Sequence, residues 1–126
     1  MQFNTLIVHV VRLKDLPTKG RHHLDAYASL NITGTDKWRS KVGTQPNRVD
    51  ESGNCHWDEH LEFQLNECYT DFTININHKS KIGSSETLAS MTLKLSEMPQ
   101  MQNARWFQLH KKNHPDKLRG NAVDVL

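Results

Sequence analysis

A two-residue periodicity limits what this chain can fold into more than any other feature. Between Phe3 and Arg12, Leu6, Val8 and Val10 fall on one side, and Ile7, His9 and Val11 on the other. Successive side chains of an extended strand point to opposite faces, so such a run is a strand with one side against a core. Ala26 to Thr33 is a second strand, ended by Gly34-Thr35-Asp36. Lys37 to Val42 sets Lys37, Arg39 and Lys41 against Trp38, Ser40 and Val42. Trp57 to Leu65 carries Trp57, Leu61, Phe63 and Leu65 on one face, and Phe72, Ile74 and Ile76 alternate with Thr73, Asn75 and Asn77. Leu88–Leu95, Arg105–Leu109 and Asn121–Leu126 complete the set. Asp15-Leu16-Pro17 and Gly20 break the chain after the first strand. Gly43 to His56, with Pro46 and Gly53, is a long loop, and Ser96 to Asn103 is a connection with room for one helical turn. Eight short strands with turns about every 8–12 residues predict an all-β fold, an eight-stranded antiparallel β-sandwich.

Composition fits that architecture. The chain has 126 residues, the size of one domain. Leu, Ile, Val and Phe number 29, or 23% of the chain, enough for a thin core of the kind a sandwich needs, because each sheet buries one face. Mean hydropathy is −0.71, and no apolar run nears the roughly 18–20 residues of a spanning helix. Met1 to Arg12 alternates and lacks the basic start of a signal peptide. Cys55 and Cys68 are too few for a disulfide framework, which points to a reducing, cytoplasmic compartment and leaves the sequon Asn31-Ile32-Thr33 unused. A formal charge of +2 is too small to imply nucleic acid.

Catalytic readings find little footing. No Walker loop, Gly-x-Ser-x-Gly or His-Glu-x-x-His occurs. His22, His23, Cys55 and His56 are zinc-ligand types that share one end of a sandwich, but their spacing is not that of a zinc site. The expectation is a chain with no catalytic residue, metal or cofactor. Trp38, Trp57 and Trp106 read as core or rim anchors.

Five segments in order resemble the C2 domain, a lipid-binding β-sandwich. Thr5 to Pro17 is similar to its opening strand and Leu-Pro exit, and Leu24-Asp25-Ala26-Tyr27 to its Ser-Asp-Pro-Tyr. Asn54-Cys55-His56-Trp57-Asp58-Glu59 is similar to Asn-Pro-x-Trp-Asn-Glu, Glu86-Thr87-Leu88-Ala89 to Asp-x-Ile-Gly, and Trp106-Phe107-Gln108-Leu109 to Trp-x-x-Leu. The closing run Arg119 to Leu126 resembles the last strand of the type II topology. The Asp25-Ala26-Tyr27 start and the Arg119-Gly120 ending also resemble membrane adaptors that recruit Rab GTPases to recycling endosomes.

The resemblance implies where a calcium site would lie. Members that bind calcium use about five aspartates on two loops, because Ca²⁺ takes 6–8 oxygen ligands. Carried over, those positions fall on Lys19, Asp25, Asn77, Lys79 and Glu86, whose formal charges sum to zero. An ammonium has no lone pair to offer a cation. Calcium-independent behaviour is expected.

In a sequential sandwich the connections alternate between ends, so Leu16–Asp25, Gly43–His56, Asn77–Thr87 and His110–Arg119 share one. They hold nine basic residues (Lys19, Arg21, Arg48, Lys79, Lys81, Lys111, Lys112, Lys117 and Arg119) against five acids. That end is therefore basic and suited to weak attachment to anionic membranes. Ile82, between Lys81 and Gly83, is a candidate apolar wedge, or else packs back into the sandwich. Six histidines, His22, His23, His56, His78, His110 and His114, lie in the same connections. They are either ordinary polar loop residues or groups that add charge, and tighten attachment, on acidification. Lys37, Arg39 and Lys41 form a separate basic row. The resemblance implies a phosphoinositide patch there, only half built because the neighbouring strand offers Ser29 and Asn31. Its alternative is a solvated strand face.

The reading is therefore one C2-like module over residues 1–126, expected to be the N-terminal part of a larger protein and a monomer. Its expected role is calcium-independent, electrostatic targeting to anionic phospholipid. The rival role is a protein-interaction module with no lipid function.

Overall fold

The computed structural model describes residues 4–17, 24–79, 85–97, 106–111 and 114–121; for 85, 97, 111 and 114–121 it describes the backbone alone. Among these residues nine strands form: β1 (Asn4–Leu13), β2 (Asp25–Gly34), β3 (Arg39–Gly43), β4 (Asn47–Arg48), β5 (Cys55–Leu65), β6 (Tyr69–Lys79), β7 (Ser85–Lys94), β8 (Gln108–Lys111) and β9 (His114–Asn121). A 3₁₀ turn, Leu95–Glu97, follows β7. β1 and β5 form a two-stranded sheet, and the other seven form a large one in the order β3-β2-β6-β7-β8-β9, with β4 also pairing β2. All the described pairings are antiparallel.

The alternation seen in sequence becomes the inner and outer faces. Val8, Val10 and Leu13 of β1, Leu30 and Ile32 of β2, Phe63 of β5, Phe72, Ile74 and Ile76 of β6 and Leu109 of β8 are fully buried between the sheets. Phe63 meets Phe72 edge-to-face across the two sheets, ring centroids 6.4 Å apart. The Trp57 indole Nε1 donates to the Ala26 carbonyl at 3.0 Å, binding β5 to the start of β2. Aromatic rings combine large apolar area with such a polar handle, which makes them strong inter-sheet anchors.

The structure corrects three expectations. Lys37 is not in a strand: Asp36 and Lys37 both take positive φ (52° and 66°) in the turn closed by Trp38 N–H to Thr35 O, so only Arg39 and Lys41 remain in the basic row. A hairpin this tight needs left-handed backbone at its two central residues, and that overrides the alternation. The long loop Gly43–His56 contains β4, and Arg48 stands opposite Asp25. β8 pairs with β9, Lys111 opposite His114, so 114–121 is strand rather than the expected loop. Of the closing strand expected over 121–126, which carried the type II permutation, Asn121 ends β9 and residues 122–126 are outside the described residues.

Candidate functional site

At the loop end, β2 begins at Asp25 and β6 ends at Lys79, and β7 enters at Ser85. The five positions of the implied calcium site can be followed there, except Lys19, which lies outside the described residues. The Asp25 carboxylate is paired within the chain. Its Oδ1 accepts from Arg48 Nε at 2.8 Å, with both side chains about half exposed. The guanidinium is delivered by β4, whose pairing sets Arg48 across from Asp25. Asn77 is buried, and its Oδ1 accepts the Thr87 hydroxyl at 2.8 Å. Lys79 is exposed, and Glu86 is exposed opposite His78 in the β6–β7 ladder. The His78 imidazole Nδ1 donates to the Asp25 carbonyl at 3.1 Å. One Asp25 carboxylate oxygen and the Asn77 amide oxygen are thus already engaged by donors on the chain.

The loops at this end are tied together through the backbone. Leu16 N–H donates to the Gly53 carbonyl at 3.0 Å, and Val49 N–H to the Leu24 carbonyl at 2.8 Å. Gly53 sits at φ 84°, and a Cβ there would lie 2.2 Å from the Leu16 carbonyl oxygen. Only glycine meets both demands. Cys55 is buried beneath, its thiol 3.6 Å from the Asn47 carbonyl. Burial, helped by the charges of Asp25 and Asp50, pushes this thiol up to about 12. A buried, protonated thiol is a poor nucleophile.

The outer face of the large sheet is different in kind. Cross-strand register lays out three rows: Arg39, Thr33, Asp71 and Lys94; Lys41, Asn31, Thr73 and Thr92; and Gly43, Ser29, Asn75, Ser90 and His110. A shallow open concavity of about 590 Å³ is lined by Asn31, Thr33, Arg39, Ser40, Lys41, Thr73 and Asn75. Its lining carries two cations, several neutral donors and no carboxylate. Asp71, in the same row as Arg39, is bound instead to Lys94 Nζ at 2.8 Å. That contact, with the Thr70 hydroxyl, holds the Asp71 carboxyl below the ordinary carboxylate range. Among the described residues neither Arg39 nor Lys41 has an ion-pair partner.

Of the remaining sequence-derived site residues, Lys19, Arg21, Lys81, Ile82 and Lys112 lie outside the described residues, and Lys111 is placed in β8 by its backbone only. Two clusters escaped the sequence. On the outer face of the small sheet, His9 and His60 stack with centroids 3.9 Å apart, and His9 Nε2 pairs with Asp58, a positive-φ residue beside an irregularity in the β1–β5 register. At the end of β1, Arg12 and Lys14 lie against Trp106. The first cluster was partly legible, since alternation put His9 outward. The second joins residues more than ninety positions apart.

Comparison with known proteins gives the class. The family model described as the C2 domain matches residues 4–109, and the chain belongs to that family. No curated protein matches it. Solved structures agree on the fold. A C2 domain of plant Extended Synaptotagmin 1 has a TM-score of 0.75 at 21% identity, with 96% of this chain and 89% of that chain covered. A CC2D1B structure has a TM-score of 0.75 at 14% identity, covering 99% of this chain and 54% of that one. Human GIVD cytosolic phospholipase A2 has a TM-score of 0.67 at 14% identity, covering 98% and 17%. C2 domains are membrane- or protein-interaction modules. Among the described residues no helix is long and apolar enough to cross a membrane.

Proposed function

We propose that this C2 domain is a non-catalytic, calcium-independent targeting module that attaches electrostatically to anionic phospholipid at the cytoplasmic leaflet. The observation that carries calcium independence is the Asp25–Arg48 ion pair: a guanidinium occupies the carboxylate that a metal would need. Asn77, engaged by Thr87, and the cation of Lys79 support the same reading. Attachment is supported by the basic concavity. Arg39 and Lys41 stand there without carboxylate partners among the described residues, beside amide and hydroxyl donors that suit a phosphorylated headgroup. The basic loop residues Lys19, Arg21, Lys79, Lys81, Lys111 and Lys112 add to this, each basic residue near an anionic leaflet contributing about 1 kcal/mol.

The test is flotation with phosphatidylcholine vesicles of rising phosphatidylserine content, at low and high salt. Binding that grows with anionic fraction and fades with salt is expected, because exposed charges are screened. Absence of binding to strongly anionic vesicles at low salt would overturn the proposal in favour of protein docking.

A further inference from the structure

Trp106 leads the chain into β8 and is 38% exposed, one of three large apolar side chains so placed among the described residues, with Ile7 and Trp38. Two cations lie against its ring: Lys14 Nζ is 4.2 Å from the centroid and the Arg12 guanidinium carbon 4.9 Å. Both distances are within the range of cation–π attraction. Arg12 belongs to the end of β1, and Lys14 follows the strand directly. Both positions immediately precede the Leu16–Asp25 connection of the loop end. Among the described residues neither cation has a carboxylate partner.

One cation on an indole is explained by the ring's own attraction. A second adds repulsion between like charges held within about a Debye length of each other, and Asp15, the acid next to Lys14, makes no ion pair with either cation. An anionic partner would offset that charge. The half-exposed indole asks for a partner with apolar surface as well, and indoles collect at the headgroup level of bilayers for that reason. We propose that Trp106, Arg12 and Lys14 form a headgroup-level anchor for anionic phospholipid, with the indole seated at the interface and the two cations on lipid phosphates or carboxylates. The proposal rests on the membrane reading above and adds a contact surface distinct from the concavity. Arg39 and Lys41 lie on β3, at one end of the large sheet's strand order, whereas Trp106 enters β8 near the other.

The tryptophans supply the test. Trp38 stands beside Arg39, Trp106 beside Arg12 and Lys14, and Trp57 is buried. The measurement is quenching of tryptophan emission by phosphatidylcholine–phosphatidylserine vesicles brominated near the headgroup end of the acyl chains. Trp38→Phe should keep most of the quenching, and Trp106→Phe should lose most of it. Arg12→Gln with Lys14→Gln should weaken vesicle binding about thirty-fold while the melting temperature moves little. If the wild type binds but only Trp38 is quenched, or the Arg12→Gln, Lys14→Gln protein binds like wild type, the anchor is overturned and the membrane reading stands. If the wild type does not bind, both fall. A saturable change in Trp106 emission with inorganic phosphate alone would assign the site to a soluble anion and overturn the lipid anchor.

Discussion

At the loop end, Arg48 and Asp25 face each other at 2.8 Å, and each neutralises the other. On the outer face of the large sheet, Arg39 and Lys41 look out over Asn31, Thr33, Thr73 and Asn75, with the nearby acid Asp71 drawn off by Lys94. Both regions are built from the same residue types on neighbouring strands of one sheet. What separates them is register. β4 places a cation directly across from a carboxylate, whereas β3 places its cations across from an amide and a hydroxyl. A basic residue in a fold is therefore defined less by its charge than by what its strand partner presents. In one region a carboxylate is taken up by internal pairing; in the other two cations stand without a carboxylate partner among the described residues.

The largest expected effect comes from placing carboxylates at the implied calcium positions. Arg48→Ser with Lys19→Asp, Asn77→Asp and Lys79→Asp returns carboxylates to the implied positions and frees Asp25. Calorimetry should then detect Ca²⁺ binding with a dissociation constant on the order of 10⁻⁴–10⁻³ M, where the wild type shows none. Arg48→Ser alone should not bind calcium and should cost less than about 1 kcal/mol of stability, because the pair is half exposed.

Next in size is the opposite manipulation of the sheet face. Arg39→Glu with Lys41→Glu removes two attractive charges and adds two repulsive ones, and should weaken anionic-vesicle binding by roughly two to three orders of magnitude. Both side chains are exposed, so the thermal midpoint should barely move. Unchanged binding would locate the contact elsewhere.

Asp71→Asn sharpens the contrast from the other side. It removes a negative charge from the row that holds Arg39 and should tighten binding about five-fold. Because Lys94 lowers the Asp71 pKa in the folded state, the acid's contribution to stability is present above the ordinary carboxylate range. It is lost as pH falls through the lowered value. A scan of melting temperature at acid pH should show a shallower loss for Asp71→Asn than for wild type.

The smallest effect concerns the loop end's interior. The Cys55 pKa is raised to about 12, so its favourable contribution holds below the ordinary thiol value of about 8.5 and is lost as pH climbs from there towards 12. At pH 8 an alkylating reagent should modify half-buried Cys68 and leave Cys55 untouched until the protein unfolds.

Much of the fold was legible because alternation is a direct image of a two-faced strand. Leu6, Val8 and Val10, or Phe72, Ile74 and Ile76, mark a core side whatever the rest of the chain does. Turn chemistry was less so. Asp36 and Lys37 carry positive φ without glycine, so Lys37 looked like a strand residue. β4 has only two residues, between Pro46 and Val49, and offers no period to detect. That the implied calcium positions lack carboxylates at Asn77 and Lys79 could be read from the residues alone. That Asp25 is held by Arg48 could not, because it depends on a pairing twenty-three residues away. The cations on Trp106 were hidden for the same reason.

On the proposed function, this domain meets membranes without calcium because Arg48 already holds Asp25. Vesicle sedimentation followed from chelator to millimolar Ca²⁺, at fixed anionic lipid and low salt, tests it most directly. The same bound fraction is expected throughout, unaltered by Asp25→Asn. Binding that appears only with calcium and vanishes in Asp25→Asn would contradict it.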